Sequence, residues 1–425
     1  MPLNEKSRAK TLSRIEKLVL RHHINSTGID YAAWTRLLHE RTPELIVAET
    51  DEFEAGVQQL LRELGGSHTG FYHEKPQRLL PQHSLNATLR KIGKNDTARW
   101  MFLDVFEGGP AQKAGIRPGE ILLAVNGEPC LTHSLPSFPI GSAYTLTISS
   151  EPDGGTRDVT VDILAHKGGK VLPPMLEPRS IVHSMLAPNV GVLKISWFRA
   201  SMGIDFAREL DVAIGELKQQ GCERLIIDLR GNMGGGLGFA RLASYLCPGK
   251  IPIGHSLTPA RLRKGYEKES LPRVPMPSTR TGLLMTLARF AIRDKSIFLL
   301  TQGLGTQPFH GRIAILINEW TNSAAEMVAS FASENGLATL VGEKTAGNVL
   351  GAANFKVGYG YWLRLPVFGW YTSDGRCLDG QGVTPDVVVE IEPHLFSKGL
   401  DQQLNKAIEI IGGRKPAERA GAALR

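Results

Sequence analysis

Cysteine is scarce and scattered. Cys130, Cys222, Cys247 and Cys377 form no CxxC pair and no Cys/His spacing suited to zinc, which excludes a dense disulfide framework and a structural zinc module. No stretch approaches the roughly 18 consecutive apolar residues of a membrane-spanning helix, so no membrane span is expected. The N-terminus is basic, but its longest apolar run, Leu18-Val19-Leu20, falls well short of the roughly 7 residues in a signal-peptide core. The expected compartment is therefore the cytoplasm, or the periplasm if a leader precedes this start. Runs of like charge are also missing. The 49 basic and 42 acidic residues leave +7 spread along the chain, which gives no concentrated footprint for nucleic acid. What remains is ordinary globular composition, 42% hydrophobic and 21% charged over 425 residues, enough for two or three domains.

The hydrophobic pattern changes character along the chain. Residues 1–75 read as a helical region, with Leu12, Ile15, Leu18 and Val19, then Phe53, Val57, Leu60, Leu61 and Leu64, recurring at helical spacing until Gly65-Gly66 stops the last helix. A polar, Pro-containing stretch from Glu74 to Asn86 reads as a linker. Residues 86–167 carry short strand signals with Gly/Pro punctuation: Met101–Phe106, Ile121–Val125, Tyr144–Ile148 and Val159–Leu164. After a Pro-rich hinge (Leu172 to Pro178), residues 168–395 alternate strand and helix. Strands are expected at 190–195, 225–229 and 313–317, and helices at 206–219, through Leu246, and at 323–335. This is the signature of an α/β layer with a covered sheet. Within it, 256–310 reads as a lid-like or surface insertion with one amphipathic segment, Leu283 to Ile292. Residues 396–425 form a C-terminal helix and a charged, Ala-rich tail.

Four segments could carry chemistry. Asp228-Leu229-Arg230-Gly231-Asn232-Met233-Gly234-Gly235-Gly236 follows a buried strand and precedes a helix. It suits a tight turn, a phosphate loop or an oxyanion hole, although no GxGxxG or GxxxxGK[ST] pattern is present. Ser323, in Thr321-Asn322-Ser323-Ala324-Ala325-Glu326, stands at another strand-to-helix turn, where it is either a helix cap or a nucleophile with the Ala324 N–H facing a developing oxyanion. His68, in Gly65-Gly66-Ser67-His68-Thr69-Gly70, is placed to act as a base if it is not merely a surface histidine. Asp379 and Asp386 lie in a Gly/Pro-rich turn. Asp386, beside Pro385, suits backbone capping; Asp379 is more open to a catalytic role.

In this order, the four segments resemble the tail-specific (C-terminal processing) serine peptidases. Val105-Phe106-Glu107-Gly108-Gly109-Pro110-Ala111, Ala114–Leu122 and Val125-Asn126-Gly127 are similar to a PDZ domain, the module that family carries. The resemblance implies a crotonase/Clp-protease-like α/β catalytic domain with an inserted all-β-rich PDZ domain and an N-terminal helical region. Ser323-Ala324-Ala325-Glu326 matches the nucleophile motif. The processing branch pairs its serine with a lysine, and Gly342-Glu343-Lys344-Thr345-Ala346-Gly347-Asn348 has Asn348 at that place. An amide is no general base, and Lys344 stands elsewhere in the motif, as a surface residue would.

The departure resembles the tricorn-core-like branch, which uses a Ser-His pair early in the chain and an acid late in it. By that resemblance the tetrad is Ser323 as nucleophile, His68 as base, and Ser67 and Asp379 behind it, with Gly234 or Gly235 and Ala324 supplying the oxyanion hole. The implied activity is serine endopeptidase hydrolysis of unfolded or C-terminal polypeptide segments through an acyl-enzyme, without metal or organic cofactor. C-terminal tails are expected partners of the PDZ domain, which alternatively gates the cleft; oligomerisation is left open. The rival expectation is a catalytically inactive peptide- or ligand-binding protein on the same fold.

Overall fold

The structure, a computed structural model, describes residues 4–24, 28–74, 78–150, 154–163, 180–199, 203–277, 279, 281–282, 284–286, 288 and 295–412. The Pro-rich hinge, most of the 283–292 amphipathic segment and the tail after Gly412 lie outside them. The chain falls into two compact units: Met1–Lys75, Lys250–Gln302 and Gly347–Gly382 form one, and Pro76–Gly249, Gly303–Ala346 and Val383–Arg425 the other.

The first unit begins with three helices, Glu5–His22, Tyr31–Val47 and Thr50–Arg62. Asn4 caps the first by accepting from the Ser7 N–H at 2.9 Å, and Asp30 caps the second by accepting from Ala32 and Ala33. Leu12, Ile15, Val19, Trp34, Leu38, Phe53, Val57, Leu60 and Leu61 turn inward to form one core with Phe71, Val357, Tyr361, Leu363 and Leu365. Those last five residues come from a sheet ordered Gly70–His73, Tyr361–Thr372, Pro252–Leu257, Ile297–Leu300, Arg273–Pro275, with Gly351–Gly358 also paired to the long strand. Two of these strands, Arg273–Pro275 and Ile297–Leu300, come from the 256–310 insertion. Side chains alternate across a strand, so Tyr361, Leu363 and Leu365 face the helices while Trp362 and Arg364 face the opposite side.

The second unit contains an α/β sheet ordered Ile181–Ala187, Val190–Ile195, Arg224–Asp228, Arg312–Ile317, Thr339–Gly342, Val387–Val388. All neighbours are parallel except the first pair. Its central strands read as continuous apolar runs because both faces are covered. Leu404, Ala407, Ile408 and Ile411, from and just after the C-terminal helix Gln402–Ile410, pack on Val190, Val192, Ile226, Ala314, Leu316 and Val341.

The same unit holds an antiparallel sheet, Ala87–Ile92, Arg99–Val105, Ile121–Val125, Ser142–Ser149 and Thr156–Ile163, around its own core. The stretch Glu74–Asn86, expected as a linker, is built in from Arg78 onward. Arg78–Leu79 pairs with Phe138–Pro139, Pro81–Ser84 forms a helical turn, and Leu85 is fully buried in the antiparallel core. Leu85 supplies an apolar contact that the polar composition of the stretch concealed, while Leu80 stays exposed.

Candidate active site

In the first unit, positive φ at Gly65 and Gly66 turns the chain out of the third helix and into Ser67-His68. Ser67 Oγ lies 2.8 Å from His68 Nδ1 and donates to Asp379 Oδ1 at 2.5 Å, while the Ser67 N–H reaches Asp379 Oδ2 at 3.3 Å. The carboxylate also accepts from the Val349 N–H at 3.1 Å, and Ser67 Oγ from the Leu350 N–H at 3.3 Å. Ser67 has one hydroxyl proton and gives it to the carboxylate, so Nδ1 must be the protonated ring nitrogen and Nε2 keeps its lone pair. Burial, then the Arg364 guanidinium, push the imidazole down to about 4, against the opposing pull of Asp379. The group is thus held neutral, in the tautomer that a base at Nε2 requires. Residues separated by more than three hundred positions are brought into one chain of hydrogen bonds.

In the second unit, Ser323 sits at the start of the helix Ala324–Glu334, just beyond the strand Arg312–Ile317. It has φ 54° and ψ −116°. A serine pays about 1–3 kcal/mol for such backbone geometry, which persists only where the surroundings impose it. They do: the Ser323 N–H donates to Glu326 Oε2 at 2.8 Å, Glu326 is fully buried, and its Oε1 accepts from Thr345 Oγ1 at 2.6 Å. Outside asparagine and glycine, the described residues with positive φ are His68, Ser323 and Tyr359. Two of the three are the residues proposed from sequence as base and nucleophile.

The glycine loop lies against this turn. A Cβ on Gly234 would stand 2.6 Å from Ser323 Cβ and 3.0 Å from the Ala324 nitrogen, so only glycine permits the approach. Asn232, fully buried, accepts the Gly234 N–H at 2.8 Å and donates to the Ile195 carbonyl at 2.7 Å. That occupies the Gly234 donor. The Gly235 N–H makes no hydrogen bond among the described residues, and the Ala324 N–H, at a helix start, has no intrahelical acceptor. Sequence reasoning named Gly234 and Gly235 together and missed Asn232, whose role depends on a fold no local pattern encodes.

The remaining candidates are placed as follows. Asp386 accepts from the Leu340 N–H at 2.8 Å, a backbone role as anticipated. Lys344 is exposed in the second unit and Asn348 exposed in the first. Among the described residues no cluster of His, Cys, Asp and Glu could hold a metal, and no helix is long and apolar enough to cross a membrane.

The site thus stands on an α/β sheet with a strained serine at a strand-to-helix turn, joined in one unit to a small antiparallel domain. The chain carries a peptidase family S41 domain, matched over residues 189–389, and a PDZ domain, matched over 102–137. It is 24% identical over 339 residues to the carboxy-terminal processing protease CtpA of Bacillus subtilis (strain 168), covering 78% of this chain and 62% of that protein. It is also 24% identical over 315 residues to the carboxyl-terminal-processing protease of Picosynechococcus sp., covering 72% and 64%. The chain therefore spans somewhat under two thirds of the length of these relatives. The solved structure of mature CPAF complexed with lactacystin aligns at a TM-score of 0.60 and 17% identity, over 96% of this chain and 98% of that one. The photosystem II D1 C-terminal processing protease aligns at 0.56 and 17%, with the same coverage. Both likenesses show the fold.

Proposed function

We propose that the protein is a serine endopeptidase acting on unfolded or C-terminal polypeptide segments, with Ser323 as nucleophile and His68 as its base. The observation that carries this reading is the Asp379–Ser67–His68 relay, which leaves a neutral imidazole with Nε2 unprotonated. His68 Nε2 takes the hydroxyl proton as Ser323 Oγ bonds to the scissile carbonyl carbon, and the resulting oxyanion is held by the Gly235 and Ala324 N–H groups. The C–N bond then breaks, and His68 returns the proton to the leaving amine. A water molecule repeats the sequence on the acyl-enzyme, its proton passing through His68 back to Ser323. No metal or organic cofactor enters these steps.

Hydrolysis of unstructured peptides by wild type, Ser323→Ala, His68→Ala and Asn348→Ala tests the assignment, alongside fluorophosphonate labelling located by mass spectrometry. Turnover lost in the first two variants and kept in the third, with label on Ser323, supports it. Wild-type turnover in His68→Ala would remove His68 as base.

A further inference from the structure

The net positive charge is less evenly spread than the lack of charge runs suggests. Residues 256–295 hold nine basic and three acidic side chains, six of the chain's net +7. Several of these bases gather at one end of the first unit's sheet. The strand Pro252–Leu257 runs into the short helix Pro259–Lys264, and the Thr258 N–H donates to Ser296 Oγ at 3.0 Å, which sets Lys295 beside the start of that helix. Arg273 opens the neighbouring edge strand, opposite Phe298. Leu262 packs inward on Leu257, Leu271 and Phe298, and the helix turns Arg263 and Lys264 to solvent. Arg263, Lys264, Arg273 and Lys295 are all exposed, and none enters an ion pair among the described residues. Two exposed acids, Glu267 and Glu269, lie in the same segment and leave its excess positive.

The chain between Arg273–Pro275 and Ile297–Leu300 adds an apolar element. Thr281, Gly282, Leu284, Met285, Thr286 and Ala288 are helical, with the Gly282 N–H donating to Thr279 Oγ1 at 3.1 Å and Thr286 Oγ1 to the Gly282 carbonyl at 2.9 Å. Positions 281, 284, 285 and 288 fall on one helical face. All four are exposed, Leu284 by 65% and Met285 by 70%, while Gly282 and Thr286 are half-buried. Leucine and methionine standing side by side this far out of the surface mark a face that something covers.

We propose that this face of the first unit docks on an anionic phospholipid bilayer, with Leu284 and Met285 entering the boundary between headgroups and acyl chains and Arg263, Lys264, Arg273 and Lys295 pairing with lipid phosphates. An apolar stripe beside unpaired cations is the pattern of an interfacial element. Charge decides between occupants. A second copy of this chain would bring the same positive excess against it, whereas an anionic surface attracts each Lys and Arg near it. A bilayer also moulds itself round side chains on a convex helix, which a folded partner does only with a matching groove. Such docking is peripheral, since no described helix is long and apolar enough to cross a membrane. It is independent of the peptidase reading.

Sedimentation of the full chain with vesicles of phosphatidylcholine, alone or mixed with phosphatidylglycerol, is the test. Wild type is expected to partition at least about tenfold more strongly onto the mixed vesicles, and less as salt rises. Exchanging the four exposed cations for glutamine should cost about fivefold for each charge removed. Leu284→Gln/Met285→Gln should cost about tenfold or more at unchanged charge. Arg263→Lys/Arg273→Lys should bind as wild type does. All these side chains are exposed, so thermal melting of the variants should match wild type.

Depth supplies a readout that loose ionic adsorption does not give. In Leu284→Trp, the added emission should shift to the blue on mixed vesicles and be quenched by lipid brominated near the top of its acyl chains. No preference for mixed vesicles in wild type overturns the proposal. Binding that Leu284→Gln/Met285→Gln leaves intact also overturns it, as ionic adsorption alone. Self-association in lipid-free solution that the same two substitutions abolish would assign the stripe to a second copy and reject the bilayer.

Discussion

At the scale of single residues, the relay fixes both a tautomer and a pH range. The proposed role of His68 as base requires the neutral ring, and its pKa is lowered to about 4. The direction matters: a lowered value widens the range in which the ring is unprotonated. The acid limb of kcat/KM should therefore fall well below pH 5, whereas a limb near the ordinary histidine value of about 6.5 would show an unburied, uncoupled ring. Removing the Arg364 charge should move that limb upward, because the cation is one of the groups holding the pKa down. Ser67→Ala breaks the link between Asp379 and Nδ1 while leaving Nε2 in place. Its kcat should fall by about 10²-fold, the lower range for misdirected acid–base catalysis, with KM little changed. The proposed tetrad was legible only through the family resemblance, since the small-residue loops around His68 and Ser323 alone fit a surface histidine and a helix cap equally. The influence of Arg364 on His68 was not legible, since it depends on a strand pairing with Gly70 that joins distant parts of the chain.

At the scale of elements, two contacts decide how the Ser323 turn is held. The first is the glycine loop. Gly234 has φ +84°, and an added Cβ would meet Ser323 Cβ, the Asn322 carbonyl at 2.8 Å and the Ala324 nitrogen. Gly234→Ala must push the loop off the serine turn, so kcat is expected to drop by about 10²- to 10³-fold, as when an oxyanion donor is displaced. A near-wild-type kcat would show that the loop is not part of the site. The second contact ties the PDZ strand Ala87–Ile92 to the peptidase sheet. Arg90 grips both oxygens of Glu343 at 2.9 and 2.7 Å and reaches Glu319, in the loop leading to Ser323, at 3.0 Å. Arg90 and Glu343 are largely shielded while Glu319 is exposed, and Arg90→Ala would leave Glu343 without its forked donor. Chemical denaturation should show a loss of about 1–3 kcal/mol, and a double-mutant cycle with Glu343→Gln should recover most of it as coupling. Sequence periodicity found most of the α/β strands of the second unit because their apolar runs are continuous. It passed over Gly351–Gly358, where Asn354 and Lys356 interrupt the apolar positions, and Tyr361–Thr372, where large side chains on both faces, Pro366 and Gly369 leave no clean alternation.

At the scale of the whole molecule, the PDZ domain is not a bead on a string within its unit. Met101 and Leu103 share a cluster with Ile391 and Phe396 of the peptidase part. Asp104, the next residue after Leu103 and buried, accepts from Thr88 Oγ1 at 2.6 Å and from Asn318 Nδ2 at 3.3 Å. Asn318 in turn accepts the N–H groups of Gly231 and Trp320, one in the glycine loop and one in the serine loop. One PDZ carboxyl thus meets the amide that spaces both halves of the proposed oxyanion site. No sequence pattern marks such a pair, because Asp104 and Asn318 are distant in the chain and each is ordinary in its own segment. Burial pushes the Asp104 carboxyl above its ordinary value, so an amide of the same shape should be tolerated where a methyl is not. Hydrogen exchange reads the consequence directly. In wild type, peptides covering 99–105 and 312–317 should exchange through one cooperative opening with matching free energies, since the two sheets share buried side chains. Asp104→Asn should keep that match. Asp104→Ala orphans Asn318 Nδ2 and Thr88, so residues 99–105 should open earlier than 312–317, and kcat should fall although no group proposed to touch substrate has changed. If the PDZ strands of wild type already exchange by a separate, weaker opening, the domain is independently stable and its carboxyl does not govern the spacing of the two loops.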